Sequence, residues 1–246
     1  MDTGSTLDRY LAAVSEEGVY PNRGNLEFYV RYLFDGTPLS GATVLEIGGG
    51  AGACSYYAAS AGARRVVCLE PESEGSSEGM GRAFRRLGER LRLPQVELHE
   101  ATFQSYDPAP GEAFDLVLLH NSINHLDEDA CIALRRDAAA RARYRTLFDK
   151  MARLTRPGGR VLITDCTCYN VFNFVGLKNP LMPTIEWHKH QTPGTWIALL
   201  AESGYVRPRV RWTTLNILRR PGRILFGNAV AAFFLTSHFS LTMERV

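Results

Sequence analysis

From Thr43 onward the chain alternates short apolar runs with stretches of helical periodicity, and this alternation limits the folds open to it. The runs lie at residues 44–47, 66–69, 96–98, 114–119 and 161–164. Each is β-branched or leucine-rich, too short for a helix and without polar alternation, as strands covered on both faces are. Helical patterns fall between them at residues 52–61, around 82–91, and from about 129 to 153. In the last of these, Tyr144, Leu147, Phe148, Met151 and Leu154 mark one face, and Pro157-Gly158-Gly159 is expected to stop the helix. Strands and helices in this order mean right-handed crossovers and a parallel sheet. Two later strand candidates, residues 205–215 and 233–242, flank a short helical segment at 219–230 and predict a hairpin-like closing pair.

Two short helices precede this region. Leu7, Tyr10, Leu11 and Val14 repeat at i, i+3, i+4 and i+7, and so do Leu26, Tyr29, Val30 and Leu33, with a turn at residues 18–24 between them. Residues 166–192 are rich in aromatics, Asn and Pro and read as an irregular insertion. A helix is expected at 193–203, with a proline near its start and Gly204 as its stop. The domain reading is an N-terminal helical lid at 1–42 and a main domain at 43–246, with a substrate-covering insertion at 165–192.

Composition narrows the class of function. Among 246 residues, 28 Lys and Arg oppose 26 Asp and Glu, a net charge of +2 that gives no case for a nucleic-acid-coating protein. Hydrophobic residues at 45% can build a sizeable core. Five cysteines, an odd number in a long chain, are expected to be reduced thiols in a cytoplasmic protein. There is no apolar run of membrane-spanning length and no secretory pattern in the first residues, so a membrane partner is not expected.

The most informative stretch is Val44-Leu-Glu-Ile-Gly-Gly-Gly-Ala-Gly52. Glycines at 48, 50 and 52 let the backbone turn and approach a ligand with no Cβ in the way. The helix behind them points its amide donors and positive dipole end back at the loop. Glu70 closes the next apolar run, where a carboxylate can accept both hydroxyl protons of a ribose. A nucleoside-containing ligand is therefore expected across the carboxyl ends of the strands. On glycines alone a nicotinamide cofactor, and hence an NAD(P)-dependent oxidoreductase, stays open. Glu46 tips the balance: a carboxylate in that apolar run would repel a pyrophosphate and attract an ammonium or sulfonium group.

With these residues in view, the sequence resembles the class I S-adenosylmethionine-dependent methyltransferases. Glu46-Ile-Gly48-Gly-Gly50-Ala-Gly52 is similar to the family's acidic-x-G-x-G-x-G signature, and Glu70 to its ribose-binding acid. Phe114-Asp115-Leu-Val-Leu-Leu-His-Asn121 resembles the fourth-strand motif, and Leu154-Thr-Arg-Pro157-Gly158-Gly159 the turn into the fifth strand. The resemblance implies a Rossmann-like, doubly wound α/β fold with a mostly parallel seven-stranded sheet and an antiparallel last strand. It also implies S-adenosylmethionine as cofactor, held by Glu46, Gly48, Gly49, Gly50, Gly52 and Glu70. The family's adenine-capping acid falls at Thr102 here, so Thr102 and the amide and ring of Phe103 are the expected base contacts. His120, at the end of the fourth strand, is expected to contact the methionine part of the cofactor.

Methyl transfer by direct displacement asks the protein to position two partners and exclude water, and needs a base only when the acceptor must lose a proton. His120, His125 and Asn121 are the candidate catalytic residues, with His125 equally suited to fixing its loop. Acceptor contacts are expected from Tyr20, Tyr169, Trp187 and His190, with Arg23, Phe172, Phe174 and Trp196 as further lid candidates. His188 and His190 alternate, and Cys166 and Cys168 sit close together, but neither pair has a ligand spacing that predicts a metal. The expected activity is O-methylation of a small, partly apolar metabolite, in a chain that could pair as a homodimer. N-methylation and a non-catalytic cofactor-binding scaffold are the alternatives.

Overall fold

The structure, a computed structural model, describes residues 3–72 and 78–246. The chain divides into two compact units, Met1–His120 and Asn121–Val246. Their strands form one seven-stranded sheet in the order β3-β2-β1-β4-β5-β7-β6.

The first unit contains α1 (Thr3–Glu16), α2 (Arg23–Leu33), β1 (Thr43–Ile47), α3 (Ala53–Ser60), β2 (Arg65–Leu69), α4 (Met80–Leu91), β3 (Val96–His99) and β4 (Phe114–His120). β1 runs parallel to β2 on one side and to β4 on the other, and β2 runs parallel to β3. Every residue of β1 is buried, which is why its sequence shows no polar alternation. Asp115 ties β4 to the start of β1, accepting from both the amide (2.7 Å) and the hydroxyl (2.8 Å) of Thr43. Within this unit α1 packs on α3 and α4. Tyr10 is fully buried, donates to the carbonyl of Ala53 at 2.9 Å and meets Tyr57 edge-on. Glu17, just after α1, accepts from Arg86 and Arg90 of α4.

The second unit contains α5 (Glu128–Ala133), α6 (Ala138–Leu154), β5 (Thr155–Cys166), α7 (Val171–Phe174), α8 (Pro193–Glu202), β6 (Tyr205–Trp212), α9 (Arg219–Phe226), α10 (Ala229–Phe234) and β7 (His238–Arg245). β7 is antiparallel to both β5 and β6, as the hairpin-like closing pair requires. The register of β6 against β7 slips between Val206 and Arg209, around Pro208, which has no amide hydrogen for the ladder.

Several boundaries differ from the sequence reading. The single long helix expected from about 129 to 153 is two, because Asp127 and Asp137 each cap a helix start, accepting from Ala130 N at 3.0 Å and Ala139 N at 2.8 Å. α6 ends at Leu154 where Thr155 turns extended, so Pro157-Gly158-Gly159 already belongs to β5 and does not itself stop the helix. The last strand begins at His238, not at 233: Phe233 and Phe234 belong to α10, which Asn228 caps through Ala231 N at 2.9 Å. The strand before it ends at Trp212 instead of 215.

Candidate active site

In the first unit, β1 delivers the chain into the glycine loop at the carboxyl end of the parallel strands. Gly48, Gly50 and Gly52 have φ of 72°, 54° and 83°, the left-handed region that a side chain disfavours. The amides of Gly48 and Gly49 donate to the carbonyl of Leu69 on β2, at 2.8 and 3.3 Å. A Cβ on Gly49 would collide with the sulfur of Cys68, and one on Gly52 would stand 2.5 Å from the ring of Phe84. At Gly50 the nearest atom to such a Cβ is the sulfur of Met80, 3.8 Å away. The loop is thus tightly packed at Gly49 and Gly52 and open at Gly50.

Two carboxylates border this loop. Glu70, 5% exposed at the tip of β2, accepts from the amide of Gly50 at 2.7 Å through Oε2. Glu46 is 1% exposed and accepts from the hydroxyl of Ser55, at the start of α3. Burial pushes the Glu46 carboxyl up to about 7 against the pull of the Ser55 bond, and the charge of Glu70 adds to the rise. No cation of the chain is hydrogen-bonded to Glu46 among the described residues. An acid so buried, beside a glycine cradle, fits a ligand that brings its own positive charge.

His120 closes β4, half-buried, with its Nε2 2.5 Å from the phenolic oxygen of Tyr29 on α2. The rings meet edge-on, 5.7 Å apart. Thr102 is exposed and its hydroxyl pairs with that of Ser105 at 2.9 Å. The ring of Phe103 is only 2% exposed and belongs to the core, which corrects the expectation that the ring itself meets the base. Tyr20 lies half-buried in the turn after α1, and Arg23 opens α2 in an ion pair with Asp8 at 2.6 Å.

The second unit carries the remaining expected residues. Asn121 has φ of 55°, and its side-chain oxygen accepts from the hydroxyl of Thr164 at 3.0 Å, which anchors it to β5. His125 is exposed on the turn Ile123–Leu126, where its Nδ1 lies 3.1 Å from Glu128. Tyr144 of α6 holds that turn by donating to the carbonyl of Ile123 at 2.9 Å. Tyr169 is half-exposed, stacked on Phe174 and under the guanidinium of Arg135. Trp187 sits in a single turn with Lys189, whose amine bridges Glu128 and Glu186 at 2.8 and 2.7 Å. Trp196 is fully buried against Tyr144 and Phe148, a core residue and not part of a lid.

His190 has a partner that the sequence reading missed. Asp165, 1% exposed at the end of β5, accepts from Nδ1 of His190 and from the amide of Cys166, both at 2.8 Å, and from Nε1 of Trp196 at 3.1 Å. Asp165, Cys166 and His190 place potential metal-ligand atoms within 4.8 Å of one another. With three hydrogen bonds already on the carboxylate, the arrangement fits an oriented imidazole better than a cation site. Burial, above all, lowers the basicity of the neighbouring His238. The signal for Asp165 was present in the sequence: like Glu70, it is the acid directly after an apolar run. Tyr29 and Ser55 gave none, being ordinary members of helical patterns.

Fold and loop together define a doubly wound α/β protein with an open glycine loop at the carboxyl end of its first strand. The family model of the methyltransferase domain matches residues 45–163, the stretch from β1 into β5. The chain therefore carries a class I S-adenosylmethionine-dependent methyltransferase domain, with S-adenosylmethionine as its cofactor. Solved structures share the fold at low identity. A SAM-dependent methyltransferase from Aquifex aeolicus has a TM-score of 0.62 at 16% identity, with all of both chains covered. The N-methyltransferase NodS from Bradyrhizobium japonicum has 0.51 at 17%, covering 89% of this chain and 97% of that one. The mitomycin 7-O-methyltransferase MmcR has 0.58 at 16%, covering 90% of this chain and 54% of that one. No curated protein sequence matches the chain.

Proposed function

We propose that this methyltransferase transfers its methyl group to an oxygen of a small, partly apolar metabolite in the cytoplasm. The observation that carries this reading is the Tyr29–His120 pair at the carboxyl end of β4, 2.5 Å apart and half-buried. An oxygen acceptor must shed a proton as the bond forms, and an imidazole is the side chain best matched to take it near neutral pH. S-adenosylmethionine supplies an electrophilic methyl on a positively charged sulfur. Gly48, Gly49, Gly50 and Gly52 let it approach the backbone; Glu70 takes the ribose hydroxyls; Glu46 balances its positive charge. Thr102 and the Phe103 amide serve the base. His120 stands by the methionine part and receives the acceptor's proton, with Tyr29 fixing the ring. Asn121 and His125 shape the loop that follows, and Tyr20, Tyr169, Trp187 and His190 contact the acceptor.

Screening a metabolite library with labelled methyl donor identifies the acceptor and its atom. With a hydroxyl acceptor in hand, His120→Ala is expected to lower kcat by about a hundredfold or more and to abolish its acid limb. The affinity for S-adenosylhomocysteine should fall by much less than kcat, since the glycine loop and Glu70 stay in place. Labelling confined to amines, or a kcat for His120→Ala equal to that of the parent at every pH, contradicts the reading.

A further inference from the structure

The second unit concentrates apolar surface in one region. Of the fifteen large hydrophobic side chains exposed among the described residues, twelve fall in residues 169–181 and 217–234. These two segments belong together in space: the ring of Phe174 on α7 lies 5.8 Å from that of Phe233 on α10, and α10 also packs against α9. On α9, Gly222 is buried against Leu218, while Ile224 and Leu225 are exposed; Ile217 projects from the single turn just before the helix. Ile224 is 81% exposed and Ile217 71%, so these side chains project from the surface and line no groove.

The charge within these two segments has one sign. Residues 169–181 and 217–234 hold Lys178, Arg219, Arg220 and Arg223 and no acid. Elsewhere 24 basic residues face 26 acidic ones, so a nearly neutral chain keeps its positive excess here. Arg219, Arg220 and Arg223 all lie on α9. The location is specific as well. Trp212 of β6 and Cys166 of β5 stand opposite Phe239 and His238 of β7, so α7, α9 and α10 leave the sheet at the carboxyl end of β5.

We propose that α9 and its neighbouring loops seat the protein reversibly on an anionic lipid bilayer. The projecting aliphatic side chains enter the boundary between headgroups and acyl chains, and the arginines meet the lipid phosphates. A two-fold contact between copies of the chain would set arginines against arginines, which disfavours a second copy as the occupant. A convex face with protruding side chains suits a deformable lipid surface, which needs no pre-shaped pocket. This departs from the expectation of no membrane partner, which rested on the lack of a spanning run and of a secretory pattern; no described helix is long and apolar enough to cross a membrane.

The test is co-sedimentation of the full chain with large vesicles of phosphatidylcholine containing about 30% phosphatidylserine, against pure phosphatidylcholine vesicles. The protein is expected to pellet with the anionic vesicles and to be released as salt rises. Arg220→Glu should lower the partition by roughly fivefold or more, and the double variant Ile224→Asp with Leu225→Asp by at least about tenfold. Affinity for S-adenosylhomocysteine, unchanged in these variants, shows that they fold and separates this test from that of the catalytic reading. Wild-type protein left in the supernatant, or equal partition of wild type and double variant, overturns the proposal. So does a wild-type dimer that Leu225→Asp converts to a monomer.

Discussion

Glu46 shows how far burial can shift the chemistry of one side chain. A carboxylate 1% exposed, with a serine hydroxyl as its hydrogen-bond donor, is costly to ionise, and its proton is released only near pH 7. The group's pKa is higher folded than unfolded, so its contribution to stability is complete below the usual carboxylate range and is lost as pH rises toward 7. Replacing it by an uncharged isostere removes that loss. Glu46→Gln is expected to melt higher than the parent at pH 8, by an amount equivalent to about 3 kcal/mol, with most of the gap gone by pH 5. Thermal melts of the cofactor-free protein across pH check this; a gap that does not change with pH contradicts it. The same variant should bind S-adenosylhomocysteine, which has no sulfonium, with a smaller penalty than S-adenosylmethionine. Glu46 and Glu70 were legible in the sequence because an acid at the end of an apolar run is conspicuous. Tyr29 was not, since one residue of an amphipathic helix face reveals nothing about a strand end 91 positions later.

At the scale of elements, the strands of the parallel region were legible to within a residue or two, apart from the early start of β5. Fully buried strands have an unmistakable composition, as β1 illustrates. Helix ends were less so, because they depend on which polar side chain folds back on the backbone. Asp137 is the case in point: its carboxylate receives the amide of Ala139 at 2.8 Å, and it breaks what periodicity alone reads as one helix. Asp137→Ala is expected to cost about 1 kcal/mol, seen as a fall of about 2–4 °C in Tm. A Tm equal to the parent's would mean that the cap contributes nothing and that the break has another cause. Phe233 and Phe234 misled in the opposite direction: an aromatic pair suits a strand, yet Asn228 starts a helix before the strand can begin.

For the whole molecule, the order β3-β2-β1-β4-β5-β7-β6 brings the tips of β1 and β2 side by side, so that two acids distant in sequence border one glycine loop. That much of the site follows from spacing, because parallel strands put every strand end at the same edge. The surroundings of His190 and Trp196 do not follow, since they depend on which side chains of irregular segments turn inward: Asp165 holds His190, and Trp196 went to the core. Calorimetric titration with S-adenosylhomocysteine reads the glycine loop itself. One-to-one binding is expected for the parent. Glu70→Ala should weaken it by about tenfold to a hundredfold, through loss of charge-assisted hydrogen bonds. Gly50→Val should nearly abolish it, by filling the open side of the cradle. Absence of binding to the parent, uptake of NADH in its place, or parental affinity in folded Glu70→Ala and Gly50→Val variants would remove this loop as the cofactor site.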